Sequence, residues 1–392
     1  MLQFADRMAP LGVNVFADMD AAKARAIAAG RDLIDLSLGS SDLPAPPHVL
    51  EAIAAALPDR ASHGYLLHQG TLPFRQAAAR WYERRFGLAV DPETEVLLLI
   101  GSQEGTAHLP LALLNPGDIA LLQDPGYPSH AGGVHLAGGV IHRMPTLAKN
   151  QFRPVFADIP AAVAERARLM VLSYPHNPTA GVATPEFFAD ALDFCRRHDI
   201  ALCHDFPYPD LGFDGAPVPS ILQIDRQRQQ SIEFFSLSKS YNMGGFRVGY
   251  AIGNPELIGA LRKIKATVDF NQYRGILAGA IAALEGPQDC VAAMNATFKT
   301  RRDAFVGALK RIGWHLPLPP STMYVWAPLP EPWQQDSMGF CTALVQETGV
   351  AASAGVGFGE AGEGYVRFAL VHEPTRLEEA ADRVGAFLKQ HR

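Results

Sequence analysis

The sequence predicts an α/β protein, with a large domain built on a mostly parallel sheet covered by helices and a smaller α+β domain. Three observations carry this prediction. Short β-rich runs alternate with helical segments between about residues 95 and 285, and strands that alternate with helices form parallel sheets. The chain has 392 residues, which is more than one typical domain of roughly 100–200 residues. After about residue 286 the alternation gives way to long helices and isolated strands.

The predicted sheet consists of apolar runs bounded by turn-forming residues. The first strand covers residues 95–100, and Asn115, Pro116 and Gly117 end the helix predicted over residues 103–114. Further runs predict strands over residues 118–123, 139–143, 168–173, 200–204, 231–237 and 247–252. Ligands bind beyond the carboxyl ends of the strands in such sheets, so functional residues should follow the strands.

Two connecting helices carry clear start signals. Thr184 followed by a proline is typical of an N-cap and predicts a helix to about residue 198. Asn254 followed by a proline predicts another helix to about residue 266, and a further helix lies near residues 275–284.

The C-terminal part of the chain no longer alternates between strands and helices. It predicts amphipathic helices and short strands over residues 292–312, 323–327, 365–370 and 376–390. We therefore assign residues 46–285 to the large domain, and residues 1–45 together with residues 286–392 to the small domain.

The composition excludes several classes of protein. The net charge of −6 and the lack of a basic run argue against a nucleic-acid partner. No apolar run approaches the ~20 residues of a membrane helix, and the N-terminus lacks a secretory signal pattern. The four scattered cysteines form no CxxC pair. We expect a cytoplasmic protein without a nucleic-acid, membrane or metal partner.

Two motifs suggest chemistry that their context does not favour. Residues 357–362 match GxGxxG, but they precede a strand, whereas a dinucleotide-binding loop joins a strand to a helix. Ser236 and Lys239 match the SxxK of serine acyl hydrolases, a motif that opens a helix and accompanies SDN and KTG elements. Here SxxK follows an apolar run that predicts a strand, and the sequence has neither companion element. A serine acyl hydrolase stays an alternative.

Lysine is scarce, which narrows the search for amine chemistry. The chain has eight lysines, and Lys239 follows an apolar strand and is ringed by hydroxyl residues. Desolvation and nearby positive charge lower the pKa of such a lysine, which suits Schiff-base chemistry. Arg247 follows eight residues later, after two glycines, and its forked side chain could hold a phosphate.

Polar or aromatic residues follow other predicted strands as well. Asp205 could pair with a protonated ring nitrogen, and Tyr208 could reach a phenolic oxygen. Two prolines flank the loop that carries Asn177, and Tyr127 places an aromatic ring at another strand end. Residues 101–105 open a helix after the first strand, and its free N–H groups would cradle a phosphate.

In this order, each after its own strand, these residues resemble those of fold-type I pyridoxal-phosphate enzymes, the class I/II aminotransferases. The resemblance covers nearly the whole chain, from residues 35–39 to residues 366–370. It implies that the large domain binds pyridoxal 5'-phosphate. It also implies ping-pong transfer of an amino group between an L-amino acid and a 2-oxo acid, with 2-oxoglutarate as the expected second substrate.

The resemblance implies a role for each motif. Lys239 corresponds to the lysine that bonds to the cofactor and then moves the substrate's Cα proton. Asp205 corresponds to the partner of the ring nitrogen, Tyr208 and Asn177 to donors to the ring oxygen, and Tyr127 to the ring-stacking residue. The residues implied in phosphate binding are Ser102, Gln103, Ser236 and Arg247. The residues implied in substrate binding are Gly39, Asn177 and Arg367, of which Arg367 holds the α-carboxylate.

The resemblance also bears on assembly and substrate. Tyr65 resembles the tyrosine that reaches the phosphate of the neighbouring subunit, which implies a homodimer with shared sites. Residues 14–19 and 36–44 are similar to bacterial LL-diaminopimelate or N-succinyl-diaminopimelate aminotransferases, which serve lysine biosynthesis. Gln103 stands where some dicarboxylate-specific relatives have a lysine, which argues against simple aspartate specificity. Arg274 could meet a distal carboxylate from the partner subunit, although a surface or helix-packing role is favoured.

Two further functions share part of this pattern. A carbon–sulfur lyase of the same fold would keep every cofactor residue, and release of pyruvate and ammonia from cystathionine would distinguish it. A regulator built on this fold would carry an N-terminal helix-turn-helix domain, for which the roughly 45 residues before the alternating region are too few.

Overall fold

The computed structural model describes residues 2–11 and 15–391, with side chains from residue 19 onward in the first helix. Asn14, in one of the segments compared above, lies outside the described residues. The described strands are β1 (Ile34–Asp35), β2 (Val96–Leu99), β3 (Ile119–Asp124), β4 (Val140–Pro145), β5 (Ala167–Ser173), β6 (Ala201–Phe206), β7 (Ser231–Ser236), β8 (Gly249–Gly253), β9 (Tyr324–Pro328), β10 (Val350–Ala351), β11 (Ser353–Ala354) and β12 (Tyr365–Ala369).

The helices are more numerous in the N-terminal third than the sequence predicts. They are α1 (Val15–Ala28), α2 (Pro47–Ala56), α3 (Leu72–Phe86), α4 (Ser102–Leu113), α5 (Pro128–Leu136), α6 (Ala161–Ala164), α7 (Pro185–Arg197), α8 (Leu237–Ser240), α9 (Pro255–Val268), α10 (Arg274–Glu285), α11 (Asp289–Arg311), α12 (Ser337–Thr348) and α13 (Pro374–Gln390). Across the described ranges, no helix is both long and apolar enough to cross a membrane.

Seven strands form the central sheet in the order β2-β8-β7-β6-β5-β3-β4. β8 pairs antiparallel with both of its neighbours, and the other strands run parallel to one another. The prediction of a mostly parallel α/β sheet is confirmed. Parallel neighbours need long crossover connections, which the helices supply.

Helices cover both faces of this sheet, so its inner strands are apolar at nearly every position. Ile119 and Leu121 of β3 face an apolar cluster beneath α3, α7 and α10, whereas Ala120 and Leu122 face a cluster beneath α4, α5 and α9. The division follows from the strand itself, because successive side chains point to opposite faces.

A third apolar cluster lies beyond the central sheet. It joins α1, α11, α12 and α13 to the three-stranded antiparallel sheet β11-β12-β9 and to the parallel pair of β1 and β10. Tyr208, Leu211 and Phe213 also contribute to it. Because residues before 46 and after 286 share this core, it supports the predicted division into two domains, which stays a prediction.

The helix starts predicted at Thr184 and Asn254 carry the expected caps. The Thr184 hydroxyl accepts a hydrogen bond from the N–H of Phe187 at 3.3 Å. Asn254 Oδ1 accepts from the N–H groups of Glu256 and Leu257 at 2.8 and 2.9 Å. Each cap satisfies N–H groups that the first helical turn leaves without a partner.

The structure differs from the sequence prediction at the end of β7. The strand predicted through residue 237 ends at Ser236, whose Oγ accepts from the N–H of Ser238 at 3.1 Å and starts the one-turn helix α8. The expectation that this segment does not open a helix is therefore wrong. Arg247, predicted to begin a strand, precedes β8 with a left-handed φ of 53°.

Six helices lie where the sequence analysis predicts no element: α1, α2, α3, α5, α6 and α12. In α5, Gly132 and Gly133 lower the intrinsic helix propensity and hide the helix. Tertiary packing explains the glycine at 133, because a Cβ there would lie 2.6 Å from the Thr106 carbonyl oxygen of α4.

Candidate active site

A cleft of about 540 Å³ opens at the carboxyl edge of the central sheet. Ser173, Asp205 and Ser236, at the ends of neighbouring parallel strands, form part of its wall. The structure brings eleven of the twelve predicted site residues into this wall. They are Gly39, Ser102, Gln103, Tyr127, Asn177, Asp205, Tyr208, Ser236, Lys239, Arg247 and Arg367.

Lys239 projects into the cleft from α8. Its Nζ donates a hydrogen bond to the carbonyl oxygen of Gly39 and lies 5.9 Å from the centre of the Tyr208 ring. Position 39 has no room for a side chain, since a Cβ there would lie 2.0 Å from the Tyr324 hydroxyl. Glycine at this position therefore lets the backbone approach the lysine closely.

Asp205 is buried at the end of β6. Its Oδ2 lies 2.9 Å from Nε2 of His130, which is buried on α5 and meets the Tyr127 ring edge-on at 5.7 Å. Among the described residues, nothing donates to the other carboxylate oxygen, Oδ1. The carboxylate is therefore oriented by one oxygen and has the second available for a donor in the cleft.

Arg367 reaches the cleft from β12. Its Nη1 donates to Asn177 Oδ1 at 2.8 Å, and its Nη2 donates to the Ser37 carbonyl at 2.7 Å and to Ser353 Oγ at 3.2 Å. The guanidinium also lies 4.3 Å from the centre of the Tyr324 ring. Its buried Nε has no partner within the described part of the chain. These contacts fix the plane of the guanidinium, as recognition of a carboxylate requires.

Tyr208 and Tyr324 form a buried hydroxyl pair with 2.9 Å between their oxygens. Burial raises the pKa of Tyr208 well above its ordinary value. Burial also opposes ionisation of Tyr324, but the positive charges of Lys239 and Arg367 outweigh it and hold the pKa of Tyr324 below its ordinary value. The raised pKa keeps the Tyr208 hydroxyl protonated, so it can donate a hydrogen bond within the cleft.

The N-terminus of α4 and Arg247 form an anion-binding corner of the cleft. Gly101 has a φ of 76°, and a Cβ on it would lie 2.3 Å from Nη2 of Arg247. Ser102 and Gln103 follow as the first helical residues. Their free N–H groups and the helix dipole favour a phosphate at this point.

These groups fit pyridoxal phosphate. The vacant Oδ1 of Asp205 suits a protonated ring nitrogen, the amine of Lys239 suits a carbonyl group, and the corner at Arg247 suits the phosphate. Tyr127 offers an aromatic ring in the same wall, and burial raises the pKa of Tyr127, so its hydroxyl stays protonated near neutral pH.

Two residues considered in the sequence analysis lie outside the cleft. The Tyr65 side chain is 87% exposed, and its ring lies 5.4 Å from that of Phe270. Arg274 is exposed at the start of α10, near Gly70. The cleft wall of this chain includes neither of them.

Sequence reasoning missed His130 and Tyr324. His130 lies on the unpredicted helix α5, 75 positions from its partner Asp205, and Tyr324 lies 116 positions from Tyr208. Nothing in the local sequence distinguishes either residue from a packed aromatic side chain. Their long separation from the motifs explains why a pattern search could not find them.

A group of potential metal ligands lies between α4 and the end of α9, around the side chain of a lysine. Glu104, His108 and Asp269 have side-chain atoms within 4.8 Å of one another. The Nζ of buried Lys265 lies 3.0 Å from Glu104 and 2.9 Å from Asp269. The ammonium group therefore balances the carboxylates that would otherwise attract a metal ion.

Comparisons with known proteins agree with this geometry. The family model for aminotransferases of class I and II matches residues 31–384. An LL-diaminopimelate aminotransferase from Desulforudis audaxviator is 43% identical over 98% of this chain and 97% of its own length.

Solved structures are similar over almost the whole chain. A probable N-succinyldiaminopimelate aminotransferase from Thermus thermophilus has a TM-score of 0.90 at 43% identity, covering 95% of this chain and 99% of that one. The substrate-bound BacF structure from Bacillus subtilis has a TM-score of 0.94 at 34% identity, covering 99% and 98%. The chain thus belongs to the class I and II aminotransferases and is a pyridoxal-phosphate-dependent enzyme of fold type I.

Proposed function

We propose that this aminotransferase moves an amino group between a diaminopimelate-type amino acid and 2-oxoglutarate, as a step of lysine biosynthesis. The observation that carries the proposal is that one cleft holds Lys239, Asp205 and Arg367. Asp205 has one carboxylate oxygen without a hydrogen-bond partner among the described residues, and hydrogen bonds fix the guanidinium plane of Arg367. The diaminopimelate part is supported by the names of relatives that match over nearly full length.

The proposed chemistry assigns separate tasks to these residues. Pyridoxal phosphate, when bound, supplies a carbonyl group for amines and a ring that withdraws electrons from the substrate. Lys239 Nζ would take the proton from the substrate Cα as a general base. Asp205 Oδ1 accepts a hydrogen bond from the ring nitrogen and favours its protonated form.

The remaining residues bind and orient. Arg367 holds the substrate α-carboxylate, with Asn177 fixing the guanidinium plane. Tyr208 and Asn177 donate to the ring oxygen, and Tyr127 stacks on the ring. Phosphate binding falls to Ser102, Gln103, Ser236 and Arg247. Gly39 offers its backbone carbonyl to the amine of Lys239 and borders the substrate.

We also propose a homodimer in which Tyr65 contributes to the neighbouring site. Its support is the exposure of Tyr65, whose ring packs on the exposed Phe270 and which lies two positions from the exposed Leu67. Sedimentation velocity should give a mass near twice the 42.4 kDa of the chain. A monomer that retains full activity at assay concentration would contradict the shared site.

A cytoplasmic location completes the proposal. Its support is the cysteine chemistry, since the free thiols Cys195, Cys203, Cys290 and Cys341 suit a reducing compartment. Fractionation of cells that express the protein tests it, and recovery from a secreted or membrane fraction would contradict it.

The experiment that tests the substrate is a half-reaction screen. The enzyme loaded with pyridoxal phosphate is mixed with single amino acids, and the absorbance of the bound cofactor is followed. LL-diaminopimelate should react with the highest kcat/KM, and alanine or aspartate should react more slowly. Faster reaction with aspartate or alanine would contradict the proposed substrate, and release of pyruvate and ammonia from cystathionine would favour the lyase.

A further inference from the structure

Helix α1 brings two charged side chains to the mouth of the cleft. Asp20 and Lys23 both line it and form an ion pair one helical turn apart, with 2.7 Å between Oδ1 and Nζ. The Asp20 side chain is 71% exposed and the Lys23 side chain 18% exposed. The reaction described above uses neither of them, although Lys239 is the one other lysine in the cleft wall.

A second carboxylate holds Lys23 in place. Lys23 Nζ donates to Asp35 Oδ2 at 3.1 Å, and Asp35 Oδ1 accepts from the N–H and the hydroxyl of Ser37. Burial alone would lower the pKa of Lys23, but the hydrogen bonds to Asp20 and Asp35 outweigh it and raise the pKa. The Asp35 carboxylate thus has hydrogen-bond partners for both of its oxygens within the chain. Asp20, in contrast, has Lys23 as its one partner among the described residues.

Lys23 lies close to the arginine proposed to bind the substrate. Arg367 Nη2 donates to the carbonyl oxygen of Ser37 at 2.7 Å, and Lys23 Nζ lies 3.5 Å from the hydroxyl of the same serine. Because both contacts end on one residue, the two cationic groups are at most about 11 Å apart. The two α-carbons of an extended 2,6-diamino dicarboxylic acid are roughly 5 Å apart, so its two head groups can span the cations.

We infer that Asp20 and Lys23 bind the second amino-acid head group of the substrate, Lys23 taking the distal carboxylate and Asp20 the distal ammonium. The inference rests on the proposed function and names the residues that select its substrate. An N-succinylated substrate keeps the distal carboxylate but has no ammonium for Asp20. The pair therefore favours the free diamino acid over its acylated derivative.

Four amino acids of similar length distinguish the contribution of the distal carboxylate from that of the distal ammonium. LL-diaminopimelate has both distal groups, L-2-aminopimelate has the carboxylate alone, L-lysine has the ammonium alone, and L-norleucine has neither. The half-reaction of the loaded enzyme with each of them gives four values of kcat/KM. Equilibrium binding of LL-diaminopimelate to Lys239→Ala enzyme, with and without the Lys23 and Asp20 substitutions, gives a second readout by calorimetry that does not depend on turnover.

Lys23→Gln should lower kcat/KM roughly tenfold or more, about 1.4 kcal/mol, for the two amino acids with a distal carboxylate. Lysine and norleucine should keep their values within about twofold. Asp20→Asn should produce the same loss for the two amino acids with a distal ammonium. Lys23→Arg keeps the charge and should restore most of the activity with LL-diaminopimelate.

Lys299→Gln is the matched control. Lys299 also pairs with two carboxylates, Asp214 at 3.1 Å and Asp303 at 3.5 Å, but it does not line the cleft. This variant should leave all four values unchanged.

The outcomes separate this inference from the proposed function. Wild-type kinetics of Lys23→Gln with LL-diaminopimelate, or equal losses with all four amino acids, would overturn the inference and leave the aminotransferase standing. If wild-type enzyme reacts with norleucine or lysine but not with LL-diaminopimelate, the proposed substrate is wrong and the inference falls with it.

Discussion

At the scale of single residues, the cleft is marked by polar atoms that the chain itself leaves without partners. Asp205 Oδ1 and Arg367 Nε are both buried and lack a hydrogen bond within the described residues. An unsatisfied buried polar group costs roughly 1–3 kcal/mol. Such groups persist where a ligand completes them, and both atoms lie on residues of the same cleft wall.

The residues around Asp205 show how the cost is limited. His130 binds one carboxylate oxygen and leaves the other free, so the carboxylate is held in one orientation before any ligand arrives. Burial of this aspartate beside His130 of α5 is also compatible with a stable fold, because the pair is hydrogen-bonded.

Single residues were predictable where chemistry and strand position coincide. Lys239, Asp205 and Asn177 follow strands that the apolar pattern predicts, and parallel strands bring their ends to one edge. Tyr324 and His130 were not predictable, because each acts through a partner distant in sequence. Contacts of that range are set by the tertiary fold and leave no local spacing to detect.

At the scale of elements, the start of α4 depends on a glycine. Gly101 has a left-handed φ of 76°, and a Cβ on it would lie 2.3 Å from Nη2 of Arg247. The loop between β2 and α4 thus brings the helix N-terminus and the arginine together. A side chain at position 101 would both strain the backbone and displace the guanidinium.

Gly101→Ala should weaken binding of pyridoxal phosphate roughly 10- to 100-fold, because charge-assisted hydrogen bonds of about 1.5–3 kcal/mol depend on Arg247. Spectrophotometric titration of the apoenzyme measures this affinity. Gly87→Ala is the matched control, since Gly87 has a φ of 71° with nothing within 4 Å of an added Cβ.

Gly87→Ala should lose roughly 1–2 kcal/mol of folding stability, as a left-handed alanine does. Gly101 combines its φ of 76° with a ψ of 157°, a conformation that is essentially confined to glycine, so Gly101→Ala should lose roughly 1–3 kcal/mol. Only Gly101→Ala should lose cofactor affinity. Equal cofactor affinities in the two variants would show that the close approach of Gly101 to Arg247 does not matter for binding.

Helices were predicted correctly where capping residues mark their starts, and they were missed where tertiary packing determines the local conformation. The capped helices α7 and α9 begin at the predicted residues. The glycine-containing α5 and the one-turn α8 were missed, because neither has a helical apolar pattern long enough to outweigh its neighbours. Tertiary contacts override weak local propensity in such segments.

At the scale of the whole molecule, the cleft lies where separate parts of the chain meet. The end of β6 supplies Asp205, and helix α8, which follows β7, supplies Lys239. In the same cleft, β12 supplies Arg367 and α1 supplies Lys23. The α/β class was predictable from the alternation of strands and helices. The role of α1 was not, because the sequence before residue 34 has no pattern that links it to a distant sheet.

The two proposals together assign each head group of the substrate to a different part of the fold. The central sheet provides the groups proposed to hold the cofactor, and the elements around the third apolar cluster provide the charges proposed to hold the substrate. Substrate choice can then change through α1 without disturbing the cofactor residues. This arrangement explains why the cofactor residues alone do not identify the substrate.

The central claim is that amino transfer in this chain runs through the amine of Lys239. The most direct test is a single-turnover half-reaction with LL-diaminopimelate, comparing wild-type enzyme, Lys239→Ala and the exposed-lysine control Lys310→Ala. Wild type and the control should react at similar rates. Lys239→Ala should be roughly 10⁴-fold slower or worse, as expected when a catalytic group is removed, and should lose the absorbance typical of lysine-bound cofactor. A wild-type rate in Lys239→Ala, with a folded protein that still binds the cofactor, would contradict the account.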